Sequence, residues 1–397
     1  MPDFNPIYVH TRPALEAMIA DIREREFVAL DTEFVSEGAY EPVLCLVQIA
    51  TDGGIWIVDP LTSIDLRPMW ELVTAPEREL VVMAAREEIR FCIREAGRPP
   101  ARMFDAQIAA GLVGYGYPMS HTNLVRKVVG VQVQGGESFT DWRKRPLSSK
   151  QLEYAADDVR YLLEMRLRLL ADAGKLNRVA WVISECDRLV ERVVSAEQEE
   201  RWRRVSGATG LNRRDLAVLR EVWRWRDAEA RHENSPPRKV MRDDLLVEIA
   251  KRRPATTADL FALRGLERGS IRAAGPDIVR AVQVAMKLPD AELPSILRRD
   301  DPPQVSILGQ LLSVAANGLA EEHRVDPQLL ATTADLQEVV RWRLGIGGIE
   351  GDPFLFQGWR GELLQEPLTE ILDGKRCARV ANLKKPSPLV FEPHHSE

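Results

Sequence analysis

Apolar positions recur along this chain with two different periods, and the switches between them lay out the elements. Residues 11–26 carry Leu15, Met18, Ile19 and Ile22 at helical spacing, with Thr11 as the cap and Pro13 in the first turn. The run from Phe27 to Phe34 then reads as a strand and leads into a loop at Gly38. Two further apolar strands, 44–50 and 55–59, are joined through Asp52-Gly53-Gly54, so an antiparallel start to the sheet is expected. Beyond Pro60 helical patterns at 66–73 and 87–97 alternate with short strands at 80–83 and 103–105, the mark of a mixed α/β domain. Residues 147–170 keep Leu152, Ala155, Ala156, Val159, Leu162, Leu163 and Met165 in helical register behind Ser148 or Ser149, predicting one long helix. From residue 176 onward only helical patterns remain. Asp300 to Gln304 reads as a linker, helices follow at 307–322, 333–343 and 363–372, and the tail after Lys384, with three prolines and His394-His395, is expected to be disordered.

A length of 397 residues implies two or three domains. No apolar run approaches the roughly 20 residues of a bilayer span, and the start of the chain lacks a basic-then-apolar export pattern, so a cytoplasmic protein is expected. Cys45, Cys92, Cys186 and Cys377 lie far apart without a C-x-x-C pair, which argues against a disulfide framework or a zinc site. The net charge of −6 is unevenly spread: from Arg201 to Leu288 there are 20 Lys/Arg against 11 Asp/Glu. A basic block beside an acidic body is the footprint of a phosphate-binding module, although helix-rich segments also carry arginines on solvated faces.

Candidate chemistry starts at Asp31 and Glu33. Residues two apart leave a strand on the same face, so both carboxylates point together. Such a pair repels, and a bound divalent cation is the usual reason to keep it; solvated acids at a strand end are the plain alternative. Tyr154 and Asp158 stand four apart on the long predicted helix and share a face, as a polar rim also would.

Asp31-Thr32-Glu33-Phe34, Leu46-Val47-Gln48-Ile49, Val58-Asp59-Pro60-Leu61, Phe104-Asp105-Ala106-Gln107-Ile108-Ala109, Thr140-Asp141-Trp142-Arg143-Lys144-Arg145-Pro146-Leu147 and Glu153-Tyr154-Ala155-Ala156-Asp157-Asp158-Val159 together resemble the ribonuclease D family. These are DEDD exonucleases with a tyrosine in the third motif. The resemblance implies an α/β ribonuclease-H-like exonuclease domain over 1–175, a mixed sheet with flanking helices. It implies a two-metal 3′–5′ hydrolysis of RNA that releases nucleoside 5′-monophosphates, with two divalent ions, Mg²⁺ or Mn²⁺. Asp31, Glu33 and Asp158 match the family's metal ligands, and Tyr154 matches the hydroxyl that orients the attacking water.

The second family motif usually runs His-Ala-Gly, one further residue, an acid and an aspartate. Here Met83-Ala84-Ala85-Arg86-Glu87-Glu88 places Glu88 as the fourth metal ligand, where the added methylene moves the carboxylate by about an ångström. A lysine common in the loop before Thr140 is replaced by Gly135 and Gly136. A catalytically weakened RNA- or DNA-binding protein therefore stays open beside the active exonuclease, and so does a DNA-directed exonuclease, because 2′-hydroxyl selection leaves no motif.

Residues 176–204 read as a helical connector. Leu211 to Leu219, Trp223 to Asp227, Ser235-Pro236-Pro237, Val240-Met241, Asp244-Leu245-Leu246 and Leu260 to Gly265 resemble the helicase-and-ribonuclease-D C-terminal (HRDC) domain, expected over 205–290. The basic excess falls on this block, so Arg213, Arg214, Arg238 and Lys239 are its candidate nucleic-acid contacts. Trp223 and Trp225 read as one buried and one half-buried core position. Residues 305–380 resemble a divergent second copy of the domain, and 384–397 form the tail. No Gly-x-x-x-x-Gly-Lys-Ser/Thr loop occurs, which excludes a helicase and any triphosphate requirement. The expected partner is RNA with a single-stranded 3′ end, tRNA precursors by family implication, bound by a monomer without a membrane.

Overall fold

The computed structural model describes residues 5–133, 136, 140–266, 269–296, 301–348, 350–384 and 388–394. The chain divides into two units. One holds residues 1–33, 45–196 and 300–397; the other holds 34–44 and 197–299.

The first unit is built on strands β1 (Ile7–Val9), β2 (Phe27–Val35), β3 (Val43–Ala50), β4 (Ile55–Val58), β5 (Glu79–Val82) and β6 (Met103–Asp105). They form one sheet in the order β1-β4-β3-β2-β5-β6. The antiparallel start is present, with Val47 opposite Val58 and Ile49 opposite Trp56. β2, β5 and β6 are mutually parallel, Val28 lying beside Leu80 and Val82 beside Asp105. The carboxyl ends of these three strands therefore open at the same sheet edge, where open α/β sheets place their sites. Strand β1 has only three residues, too few for a period of two to register in the sequence.

Helices α1 (Arg12–Arg23), α2 (Arg67–Val73), α3 (Arg86–Ala96), α4 (Ala106–Leu112) and α5 (His121–Val128) belong to this unit, followed by α6 (Ser149–Arg160), α7 (Leu162–Lys175) and α8 (Val179–Gln198). The single helix expected over 147–170 is two. Tyr161, at φ −105° and ψ −4°, ends α6 and starts α7. The buried stripe from Ala155 through Val159 to Leu163 and Met165 runs on across the break, so periodicity alone cannot show it.

The second unit has α9 (Arg213–His232), α10 (Pro237–Val240), α11 (Asp243–Arg252), α12 (Thr257–Phe261), α13 (Gly269–Ala273) and α14 (Gly275–Met286). Leu216, Leu219 and Val222 of α9 pack with Leu246 and Ile249 of α11 and Ile278 and Val282 of α14. Trp223 and Trp225 are both only partly buried against this core, so neither is the fully buried position expected. Asn212 caps α9 by accepting from the Asp215 N–H at 3.0 Å.

Residues 305–380, expected as a divergent second helical domain, group with the first unit. α15 (Pro303–His323), α16 (Pro327–Leu330), α17 (Thr333–Arg343) and α18 (Gly358–Leu372) belong to the first unit. Three contacts explain the merger. A Cβ on Gly111 would lie 2.5 Å from Leu329, so only glycine admits that approach. The Asp326 N–H donates to the Gly111 carbonyl at 2.9 Å. Buried Arg360 of α18 forks onto buried Glu185 of α8, Nη2 to Oε2 at 2.8 Å, while Trp359 Nε1 donates to Glu185 Oε1 at 2.9 Å. In the expected linker, Asp301 is held by Arg341 at 2.6 Å, and Asp300 lies outside the described residues. Nor is the tail wholly disordered: Leu389–Pro393 forms β8, antiparallel to β7 (Arg376–Val380), because alternate residues pair in register from Val380 opposite Leu389 to Arg376 opposite Pro393. Residues 385–387 and 395–397, including His395, are outside the described residues. Among the described residues no helix is long and apolar enough to cross a membrane.

Breaking a buried pair by removing one partner strands a charge in a poor solvent. Arg360→Met is expected to lower the unfolding free energy by about 3–5 kcal/mol, and adding Glu185→Gln, which keeps an acceptor for Trp359, should recover at least half. Urea unfolding checks both, and a single-variant cost below about 1 kcal/mol would show that the pair is not what joins α8 to α18.

Candidate active site

β2 delivers Asp31 and Glu33 from its carboxyl end, and both are half-buried there. Glu33 is pushed up to about 8 by burial, then by the charges of Asp31 and Glu88. Asp31 is raised by burial as well. Both acids keep their place because Val28, Ala29 and Leu30 behind them are fully buried in the sheet.

Glu88 arrives by a different route. After β5 the chain turns at Ala84, which has φ 61°, and enters α3. Buried Asp105, at the end of the adjacent β6, holds this turn: its carboxylate accepts from the Ala85 N–H at 2.9 Å. The same carboxylate caps α4, accepting from the N–H groups of Gln107 at 2.8 Å and Ile108 at 3.2 Å. One aspartate thus organises two helix starts. Glu88, on the first turn of α3, is almost fully buried and its pKa is raised by burial and then by Asp31. Its Oε1 accepts from the Thr32 hydroxyl at 2.8 Å.

Asp158 and Tyr154 come from α6. Ser148 and Gln151 cap that helix reciprocally, the capping box that fixes where its first turn begins. Burial, and then Asp31 and Glu33, raise the Asp158 pKa, while a hydrogen bond with Tyr154 opposes the rise. Buried Trp142 lies beside the Tyr154 ring, centroids 6.1 Å apart. The loop carrying Trp142 is anchored by Arg145, which donates to Asp59 through Nε at 2.5 Å and Nη2 at 2.7 Å, and to the Cys45 carbonyl at 2.8 Å. Tyr8 donates to the same Asp59.

The structure thus brings the four predicted acids within electrostatic reach of one another. Among the described residues, no lysine or arginine forms an ion pair with any of them. His121 Nδ1 lies 3.6 Å from Asp158 Oδ1. Burial pushes that imidazole down to about 4, so it is neutral at pH 7 and offsets no charge. Oxygen donors alone, in excess negative charge, suit a hard divalent cation. Among the described residues no three such side chains yet converge as ligands. The Glu88 carboxylate lies against the Thr32 hydroxyl. Thr32, Asp105, Arg145 and His121 were missed as site residues by the sequence reading. Asp105 had a local signal, an aspartate at a strand-to-helix junction; Thr32 and Arg145 lie inside the quoted motifs, but their partners are far away in sequence, and His121 had no signal.

The predicted nucleic-acid contacts divide. Arg213 donates to the carbonyls of Asp290 at 2.7 Å and Leu293 at 3.2 Å; Arg214 donates to Leu288 at 2.7 Å and Ala285 at 3.1 Å and pairs with Asp290. Arg214 thus bonds the carbonyls at the end of α14, while Arg213 bonds those of the segment that follows and stays exposed. Arg238 and Lys239 are exposed. With Arg242 they rim a cavity of about 210 Å³ floored by Met241, Leu245 and Ile271. Gly136 has φ 138°, and Gly135 lies outside the described residues.

Known proteins share both parts of this arrangement. A 3′–5′ exonuclease family model matches residues 6–172, and an HRDC domain model matches residues 215–282. Ribonuclease D of Gluconacetobacter diazotrophicus is 36% identical over 375 residues, 94% of each chain. Ribonuclease D of Bartonella henselae is 33% identical over 365 residues, 91% of this chain and 88% of its own. The crystal structure of Escherichia coli RNase D, an exoribonuclease involved in structured RNA processing, superposes with a TM-score of 0.81 at 29% identity, covering 94% of this chain and 99% of that one. With this coverage and with both modules present in that order, the chain belongs to the ribonuclease D family of divalent-metal-dependent 3′–5′ exoribonucleases.

Proposed function

We propose that Asp31, Glu33, Glu88 and Asp158 hold two divalent ions, Mg²⁺ or Mn²⁺, and that the enzyme removes nucleoside 5′-monophosphates from RNA with a single-stranded 3′ end. The observation that carries this reading is four acids, Glu88 buried and Asp31, Glu33 and Asp158 half-buried, with which no lysine or arginine of the described residues forms an ion pair. When bound, the ions would activate water and neutralise the charge gathering on the phosphorus and the departing 3′-oxygen. Tyr154, fixed by Trp142 and by Asp158, orients the attacking water through its hydroxyl. Asp105 holds the α3 start and so sets where Glu88 can reach. Arg238 and Lys239 grip RNA phosphates without reading sequence. Structured RNA, named for the Escherichia coli relative, and tRNA precursors in particular are the proposed substrates, handled by a monomer. The cytoplasm is the proposed compartment, in keeping with four free cysteines. Residues 305–380, as a divergent second copy of the helical domain, have a structural role.

Three outcomes are expected. Asp31→Asn should lower release of nucleoside monophosphates from a 3′-tailed RNA by on the order of 10³-fold while RNA binding by filter retention is kept; residual activity within tenfold of wild type would remove Asp31 from the ligand set. Glu88→Asp withdraws the carboxylate from Thr32 and should raise kcat by ~10-fold, inside the roughly 10²-fold that an ångström of misplacement costs. A fall as large as that of Glu88→Gln would instead make the glutamate a tuned ligand.

The third outcome concerns pH. Carboxyls whose folded pKa is raised stabilise the fold fully below their unfolded pKa, and that stability is lost as pH rises through the folded value. For Glu33 that value is about 8, and Asp31, Glu88 and Asp158 shift the same way. The metal-free protein should therefore melt at lower temperature as pH rises from about 5 to 8, and Mn²⁺ added at the upper pH should restore the loss. A midpoint independent of both would refute the crowding of charge.

A further inference from the structure

Inside the second unit, the turn between α10 and α11 is pinned from below. Buried Arg226 of α9 donates through Nη1 to the Met241 carbonyl at 3.0 Å and to Asp243 Oδ1 at 2.7 Å. The Met241 N–H donates back to the Pro237 carbonyl at 3.0 Å, which leaves Met241 extended at φ −153° and ψ 133°. Gly265, which lines the same cavity, stands at φ 96°, a conformation that only glycine takes without strain, and a Cβ there would lie 3.2 Å from Leu245. The cavity of about 210 Å³ held by these residues therefore has a fixed frame.

Its lining has two chemistries. Met241, Leu245 and Ile271 belong to the core of the bundle and supply apolar surface, while Arg238, Lys239 and Arg242 are exposed. Two of the cations are already engaged: Arg238 reaches Asp243 at 3.1 Å and Arg242 reaches Asp244 at 2.9 Å. Lys239 forms no ion pair among the described residues, so its ammonium is the charge left for an incoming anion. Among the described residues that line the cavity, none brings an amide, hydroxyl or carboxylate side chain. The volume is below the roughly 300–1,000 Å³ of a drug-sized ligand's cleft, which suits one flat ring system rather than a bulky group. A phosphate grip alone needs cations and no floor. A nucleotide needs both, and a thioether such as that of Met241 makes a favourable contact with an aromatic ring.

We propose that this cavity is a binding site for a single unstacked nucleotide: its base lies on Met241, Leu245 and Ile271 and its phosphate on Lys239. The inference rests on the reading of Arg238 and Lys239 as RNA contacts and deepens it, from a grip on phosphates to a seat for a base. No side chain of the lining is left to read the edge of that base, since both arginines are held by acids. Such indifference suits an enzyme that removes one nucleotide at a time and must hold a strand whatever base comes next. Two sources offer the same chemistry, a nucleotide within a single strand and a free nucleoside 5′-monophosphate.

The test uses the full chain, wild type and Lys239→Ala, in EDTA so that nothing is hydrolysed. The methyl signals of Met241 and Ile271 are followed by NMR, with Ile278, fully buried in the same bundle, as the control. Pentaadenylate and pentauridylate are both expected to move the Met241 and Ile271 signals and to leave Ile278 in place, while ribose 5-phosphate moves none. Lys239→Ala should weaken the affinity read from these shifts about fivefold. AMP as effective as the pentanucleotides would support the site and assign it to free mononucleotide; AMP without effect would support it and assign it to a nucleotide within a strand. Equal shifts with ribose 5-phosphate would overturn the seat for a base, and a response to only one pentanucleotide would overturn the unread edge. Shifts shared by Ile278, or none with any RNA, would overturn the site. Filter retention of a longer RNA separates this failure from that of the underlying reading: weaker retention by Lys239→Ala with unmoved methyls would remove the pocket and leave the phosphate grip, whereas unchanged retention with unmoved methyls would remove both.

Discussion

Four carboxylates within electrostatic reach, buried or half-buried and ion-paired with no lysine or arginine among the described residues, are the constraint to which the first unit is fitted. Each arrives on a separate support: Asp31 and Glu33 on the central strand, Glu88 on a helix whose start is held by Asp105, Asp158 on a helix started by a capping box. Left to itself such a cluster would drive its own elements apart. The fully buried strands behind it, and the anchoring of the Trp142 loop through Arg145 and Asp59, supply the opposing force. The fold accepts local repulsion because a site empty of positive charge is what gathers ions and, with them, a phosphodiester.

Those parts of the site that depend on local geometry were legible in the sequence. The two-residue period of a strand was enough to pair Asp31 with Glu33, and the four-residue spacing of a helix to pair Tyr154 with Asp158. The capping serine was readable too, because Ser148 needs only Gln151 three positions on. What could not be read depends on chain reversals. Thr32 and Glu88 meet across 56 positions, and Asp59 and Arg145 across 86. The division at Tyr161 was hidden for another reason: the apolar stripe crosses it intact. The carbonyl bonds of Arg213 and Arg214 were not readable, because a guanidinium that bonds main-chain carbonyls has the same letter as one that awaits a phosphate.

Domain order along the chain also misleads. The chain crosses between the two units at 33/34, 44/45, 196/197 and 299/300, so neither is a bead on a string. Sequence patterns suggested a nuclease followed by two helical modules; the residues of the last group with the nuclease unit, packed on it through Gly111, Asp326 and Arg360. Composition gives no sign of this, since a helix packed on its own kind and a helix packed on a sheet carry the same apolar stripe.

The pairing of Glu185 with Arg360 also bears on how the molecule is made. The two residues are 175 positions apart, and at a synthesis rate of about 5–20 residues per second the acid waits roughly ten to thirty-five seconds for its arginine. During that interval the nuclease half of a nascent chain has its sheet but not the group that neutralises α8. Closure of the first unit thus waits on the synthesis of α18, and a ribosome that stalls before α18 leaves behind a sheet that looks complete and lacks its keystone.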